Sequence, residues 1–209
     1  MAARKGPGQG RGGRAAAGRR GGGAARTGGV RRGQGTRGGA TGAARSPGKG
    51  LGGEQVEGRQ AVRELLLAQR RRVHEIWISS ELRDGDSVED IVALANANRV
   101  PIAWVARKRL DAEARSEAPQ GVLAKAAEIP EADFGALIRR RAGHTPFLVA
   151  VDGVTDPGNL GAIIRSCDGA GAHGVIVPRH RAVHITPTVA KASAGAVEHV
   201  PVALVSGLP

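Results

Sequence analysis

Residues 147–177 read FLVAVDGVTDPGNLGAIIRSCDGAGAHGVIV. The run Phe147-Leu148-Val149-Ala150-Val151 is continuously apolar, the pattern of a strand buried on both faces of a parallel sheet. It delivers the polar segment 152–161 at its C-terminal end, the end at which open α/β sheets bind ligands. A helix is expected over 160–170, with Asn159 near its start and Arg165 about a turn and a half further along, Asp156 being its cap if the segment is only a polar loop. Such a segment offers backbone N–H groups, an amide and a fixed cation to one oxygen-rich substrate. It reads equally as a capped polar loop with Arg165 as a solvated side chain, and spacing alone leaves both readings open. Gly169, Gly171 and Gly174 match G-x-G-x-x-G, but a helical pattern precedes them and the apolar run Val175-Ile176-Val177 follows. A dinucleotide site needs the opposite order, so these glycines read as a helix end and turn.

Upstream, residues 127–145 read as a linker. Pro130 suits the first position of a helix that carries Phe134, Leu137 and Ile138 and ends at Gly143. The segment 54–126 alternates helix and strand patterns. Val62, Leu65 and Leu66 recur at helical spacing beside Arg59, Arg63 and Arg70; 73–79 and 100–105 read as strands, and a third short strand is expected at 121–126. Ser87-Val88-Glu89-Asp90 is like a capping box for a helix with Val88, Ile91, Val92 and Ala95 as its apolar stripe. This alternation predicts a small α/β sandwich. Trp77 and Trp104 each sit inside an apolar strand run and read as core rather than as base-stacking platforms. The clusters Arg70-Arg71-Arg72 and Arg107-Lys108-Arg109 flank strand signals, either touching a phosphate backbone or forming a solvated rim.

Composition separates the first fifty residues from the rest. Of 31 Lys and Arg in the 209 residues, twelve lie in 1–50 with no acid among them, so nineteen basic residues face nineteen acidic ones beyond, and the net charge of +12 belongs to the tail. Eighteen of the 33 glycines are there too. A segment this poor in apolar side chains cannot offset chain entropy by burial, and 1–53 is expected to be a disordered Gly/Arg-rich tail. Its Arg-Gly-Gly repeats, at Arg11, Arg20 and Arg37, suit nonspecific RNA contact, without interleaved aromatics to read bases. The stretch 42–50 has the wrong glycine spacing for a phosphate-binding Walker loop, and Lys49 is followed by Gly50. No apolar run approaches the ~18 residues needed to span a bilayer, and nothing after Met1 resembles a secretory signal, so a cytoplasmic protein is expected. One cysteine, Cys167, excludes a disulfide framework within the chain and reads as a small core residue. His173, His180, His184 and His199 lack metal-ligand spacing. Lys191 and Ser193 read as decoration of a helix in preference to approaching an RNA face.

Beyond these patterns, 147–177 resembles the first signature motif of the SpoU (TrmH-type) family of RNA ribose 2′-O-methyltransferases, and ASAGAVEHVPV at 192–202 is similar to the segment that follows it. EGRQAVRELL from Glu57 and PQGVLA from Pro119 are similar to the family's N-terminal substrate-binding domain, whose fold is like that of ribosomal protein L30e. The resemblance implies an L30e-like RNA-binding domain at 54–126, the N-terminal part of an α/β-knot methyltransferase domain at 146–209, S-adenosylmethionine as cofactor, ribosomal RNA as the substrate and a homodimer as the complete form. By motif position, Asn159 and Arg165 correspond to the family's functional Asn and Arg, and Arg59, Arg63, Arg107, Lys108 and Arg109 are the expected RNA-binding side chains. No residue carries over as a cofactor ligand, because nothing here resembles the family's second and third motifs. The 209 residues alone are therefore expected to leave the cofactor site incomplete and apolar sheet surface uncovered, without methyl transfer. The reading from another class is a noncatalytic RNA-binding protein with a basic tail.

Overall fold

The computed structural model describes residues 50–82, 88–139, 145–180 and 183–208, all within one compact unit spanning Ser46–Pro209. The tail through residue 49, the cap residue Ser87 and the helix end at Gly143 lie outside the described residues.

Two sheets carry the fold. The first has the order β1-β4-β2-β3, built from β1 (Gln55–Glu57), β2 (Val73–Ser79), β3 (Ile102–Val105) and β4 (Val122–Ala126). Strands β2 and β3 run parallel, joined by helix α2 (Glu89–Ala97), while β4 lies antiparallel to both β1 and β2. Helix α1 (Arg59–Ala68) buries Ala61, Val62, Leu65 and Leu66, the stripe its helical spacing predicts. Helix α3 (Arg107–Glu113) covers the opposite face, where Leu110 meets Trp77, Val105 and Leu123 in a small second core.

The second sheet is all parallel, in the order β5-β6-β7: β5 (Leu148–Ala150), β6 (Gly174–Pro178) and β7 (Val202–Val205). After β4 the chain crosses to it through the single-turn helix α4 (Phe134–Ile138). Helix α5 (Pro157–Gly169) joins β5 to β6, and helix α6 (Pro187–Ala192) with a 3₁₀ turn at Ala196–Glu198 joins β6 to β7. Gly161 lets α5 and α6 touch backbone to backbone: a Cβ there would lie 2.6 Å from the Ala192 Cβ and 2.8 Å from the Val189 oxygen. One contiguous apolar core runs through both halves, from Val62 and Ile76 to Ile164, Val175 and Val197.

Several expectations are corrected. Trp104 is 57% exposed, because β3 is the edge strand and an apolar run there has no neighbour on its outer side. Strand β5 is parallel as expected but is also an edge strand, with Leu148 and Val149 half-buried, Ala150 exposed and Phe147 47% exposed. Pro130 does not open α4; Asp133 caps it, its carboxylate accepting from the Ala136 N–H at 2.6 Å. Residues 50–53, read as the end of the tail, are part of the fold: Leu51 is buried, its carbonyl accepts from the Ile185 N–H at 2.8 Å, and Gly52, at φ +86°, bridges to Ile185. Lys191 and Ser193 are not decoration. Lys191 reaches the carbonyls of Glu117 and Ala118, and Ser193 is buried with its hydroxyl on the Ala190 carbonyl at 2.9 Å.

Candidate functional site

The segment 152–161 leaves the C-terminal end of β5 and turns into α5. Asp156, in an extended conformation, accepts through its carboxylate from the Asn159 N–H at 2.7 Å, and Pro157 takes the first turn, where its missing N–H costs nothing. Leu160, Gly161, Ile164 and Cys167 face the core, and that phase leaves Asn159 and Arg165 exposed. Burial pushes the Cys167 thiol up, consistent with a protonated packing residue. Six residues apart on a helix, Asn159 and Arg165 are separated by roughly 9 Å along the axis and about 120° around it, so they flank a site rather than touch. Neither side chain has a hydrogen bond or ion pair among the described residues, which leaves the amide and the guanidinium free for a ligand.

A second group of expected site residues gathers at one end of the first sheet. The Ser79 N–H donates to the Gly121 carbonyl at 2.9 Å and the Ser80 N–H to the Val105 carbonyl at 2.9 Å, so the ends of β2 and β3 converge beside the turn that opens β4. Arg59, at the start of α1, joins that end through Gln120: its N–H donates to the Gln120 side chain at 3.0 Å and its Nε to the Gln120 carbonyl at 3.2 Å. Arg107, Lys108 and Arg109 begin α3 two residues beyond Val105, all exposed. Arg107 lies 3.4 Å from Asp111, Arg109 sits over the Trp77 ring at 4.9 Å from its centroid, and Lys108 has no partner among the described residues. Arg63 is the exception, turned toward Glu64 at 3.1 Å and Asp90 at 3.5 Å.

Sequence reasoning missed the buried polar groups that shape both places. Glu57, fully buried, accepts from the Gln55 amide at 2.7 Å, the Arg115 N–H at 2.7 Å, the Ser116 N–H at 3.0 Å and the Ser116 hydroxyl at 2.5 Å, fixing the loop after α3. An acid between Val56 and Gly58, directly before a helix, was the signal available for it. Arg71, one of the basic cluster at 70–72, is withdrawn from solvent altogether onto Glu198. Among the described residues no group of three His, Cys, Asp or Glu side chains is placed to hold a metal ion, and no helix is long and apolar enough to cross a membrane.

The family model for RNA 2′-O ribose methyltransferase substrate binding matches residues 55–132, and that of the SpoU rRNA methylase family matches 146–209. The chain is 38% identical over 157 residues to a TrmH family tRNA/rRNA methyltransferase of Bacillus subtilis, YacO, covering 74% of this chain and 62% of that protein. It is 39% identical over 159 residues to the 23S rRNA (guanosine-2′-O-)-methyltransferase RlmB of Pseudomonas putida, with the same shares covered. It therefore spans somewhat under two thirds of the length of these curated relatives. Among solved structures, the SpoU methyltransferase AviRb from Streptomyces viridochromogenes in complex with AdoMet superposes with a TM-score of 0.57 at 26% identity, over 73% of this chain and 54% of that one. An AdoMet-bound rRNA methyltransferase from Sinorhizobium meliloti gives 0.55 at 26% identity, over 72% and 53%.

The fold and the segment 152–161 thus define an α/β protein of the RNA-methylase type, with a substrate-binding half ahead of a parallel-sheet half. The chain belongs to the SpoU family.

The cavity lined by Leu51, Val177, His184 and Leu204, beside the ends of β6 and β7, measures about 10 Å³ and does not fit the methyl donor of those neighbours, since sites that bury a drug-sized ligand run to roughly 300–1,000 Å³.

Proposed function

We propose that the protein is an S-adenosylmethionine-dependent ribose 2′-O-methyltransferase acting on ribosomal RNA in the cytoplasm. The observation that carries this reading is the Asn159–Arg165 segment, capped by Asp156 and delivered by β5, which presents an unengaged amide and guanidinium at the sheet end where α/β proteins act on ligands. The names of its relatives and the AdoMet held by its structural neighbours support the reaction and the donor.

Arg165 and Asn159 divide the work by their chemistry. A ribose hydroxyl is a poor nucleophile, so the site must orient it and stabilise the negative charge that develops on its oxygen. A guanidinium, charged at any working pH, serves as that electrostatic partner or holds the adjoining phosphate; it does not serve as the base. Asn159, whose N–H is tied to Asp156, sets the entry of α5 and offers its amide to the sugar or phosphate.

The substrate-binding module is assigned to 54–126, the linker to 127–145 and the methylase portion to 146–209. Arg59, Arg107, Lys108 and Arg109 form the RNA-facing edge of the first module, supported by their convergence at one end of its sheet. We assign a homodimer to the working form, supported by the open apolar face along Phe147, just before β5, Val149 on β5, and Ala162 and Ile163 on α5, a cavity of about 400 Å³.

The test is to incubate the protein purified from its own cells with ribosomal RNA and donor carrying a labelled methyl group. Label is expected in an alkali-resistant dinucleotide, because a 2′-O-methyl group blocks cleavage of the next phosphodiester. Label confined to a base, or none, overturns the proposal.

A further inference from the structure

We infer that the cleft between the C-terminal ends of α1 and α2 is a second binding site for RNA backbone phosphate, held by Arg72 and Arg99. The cleft measures about 450 Å³. It lies at the ends of β2 and β3 where those strands begin, beside Val73 and Pro101, and so at the opposite end of the sheet from Arg59 and Arg107. This inference rests on the reading of RNA as substrate and adds where a second stretch of the backbone is held.

Three cationic or potentially cationic side chains line the cleft at its surface: Arg72, His74 and Arg99, all exposed. No acidic residue lines it among the described residues. Neither the Arg72 nor the Arg99 guanidinium has a hydrogen bond or ion pair among the described residues, so no described group neutralises their charge. The bland account would have both arginines caring for the helix ends they sit beside. That role is taken: the Asn98 amide already donates to the Leu66 carbonyl at 2.8 Å, and its oxygen accepts from Gln69 at 2.7 Å. The third arginine of the cleft, Arg71, is consumed by Glu198.

What remains is a polar trough with an aliphatic floor, represented by Leu66 and Val100, and two unpaired guanidinium groups at its surface. Guanidinium groups match phosphate oxygens in bidentate geometry, and the apolar floor accepts the ribose between successive phosphates. The absence of Phe, Tyr and Trp from the described lining argues for backbone rather than base recognition, and so for a contact tolerant of sequence.

The experiment uses the full chain and reads individual arginines, so that the twelve basic residues of the first fifty do not obscure the result. Phenylglyoxal modification is mapped by mass spectrometry with and without a ribosomal RNA fragment, and with inorganic phosphate at equal phosphate concentration. RNA is expected to lower modification of Arg72 and Arg99 several-fold, with inorganic phosphate ineffective. The double variant Arg72→Gln, Arg99→Gln should keep its fold and lose about 1.4 from the slope of log affinity against log salt, two single-strand phosphate contacts. RNA that binds while both arginines stay fully reactive overturns the cleft and leaves the proposed function standing. Equal protection by inorganic phosphate overturns RNA as the occupant. No RNA binding at all overturns both readings.

Discussion

The Arg71 guanidinium and the Glu198 carboxylate, each 2% exposed, face one another in parallel: Nε to Oε2 at 2.9 Å and Nη2 to Oε1 at 2.5 Å. The remaining Arg71 nitrogen donates to the carbonyls of Gly53 and Ala127, so one side chain fastens the entry to β1, the exit from β4 and the 3₁₀ turn of the second half. Arg70 beside it donates to the Glu198 and His199 carbonyls at 3.0 and 3.2 Å.

Removing one partner of that pair leaves an uncompensated buried charge. Glu198→Ala is expected to lower unfolding free energy by about 3–5 kcal/mol, and the double change Arg71→Met, Glu198→Leu by much less, since both charges then leave together. Urea denaturation of the three proteins checks the order. A double variant as unstable as the single one would show that the hydrogen bonds to Gly53 and Ala127 matter more than the pair.

Gly161 predicts a steric result. Gly161→Ala places a methyl group against Ala192, Val189 and Ser193 and should cost about 1–3 kcal/mol by overpacking, whereas Gly169→Ala, at the end of the same helix with open space around its Cβ position, should gain up to about 1 kcal/mol. Thermal melts of both variants decide it. The comparison holds helix identity constant and varies only the space available.

Much of this was legible in sequence, and the exceptions share a cause. Strand β2 matches its pattern residue for residue, and α5 begins at the Asp156 cap and ends at the glycine turn, because strands and helix ends are written in neighbouring residues. The placement of Asn159 and Arg165 along one exposed stretch of α5 was legible for the same reason. Trp104, Leu51 and Arg71 were misjudged because their burial is decided by which strand lies at an edge and, for Leu51 and Arg71, by partners 134 and 127 positions away. Periodicity carries no such information. A basic triplet at 70–72 looks uniform in sequence, yet the fold gives Arg70 to a turn, Arg71 to the interior and Arg72 to solvent.

Arg165 predicts a separation of activity from stability. Exposed and unpartnered, it should tolerate Arg165→Ala within about 0.5 kcal/mol of stability, while methyl transfer by the natural protein falls roughly 10²-fold, the scale for one transition-state donor. Melting temperature and turnover measured on the same preparation test this. A parallel fall in both would assign Arg165 to structure.

Glu75 gives the acid limb of stability a local origin. The Trp77 indole N–H hydrogen-bonded to its carboxylate, then Lys125 at 3.1 Å, holds its pKa below the ordinary 4.5. A depressed carboxylate stabilises the fold above its unfolded pKa and loses that contribution as pH falls through the lower folded value. Glu75→Gln should therefore lower the denaturation midpoint at neutral pH, where the carboxylate contributes, and flatten its fall below about pH 4.5. Midpoints of both proteins measured between pH 3 and 7 show whether the curves converge in acid.

The tie between Arg71 and Glu198 also sets a timetable for synthesis. The partners are 127 residues apart, and ribosomes add about 5–20 residues per second, so the arginine waits roughly 6–25 s for its carboxylate to be made. Once β4 is complete at Ala126 the first sheet has its strands, but for the remaining 72 residues it lacks the acid that neutralises the centre of its seam. Slowing translation between the two codons lengthens the time in which this half-built surface is open to anions and chaperones, and codon choice in that stretch becomes a determinant of yield.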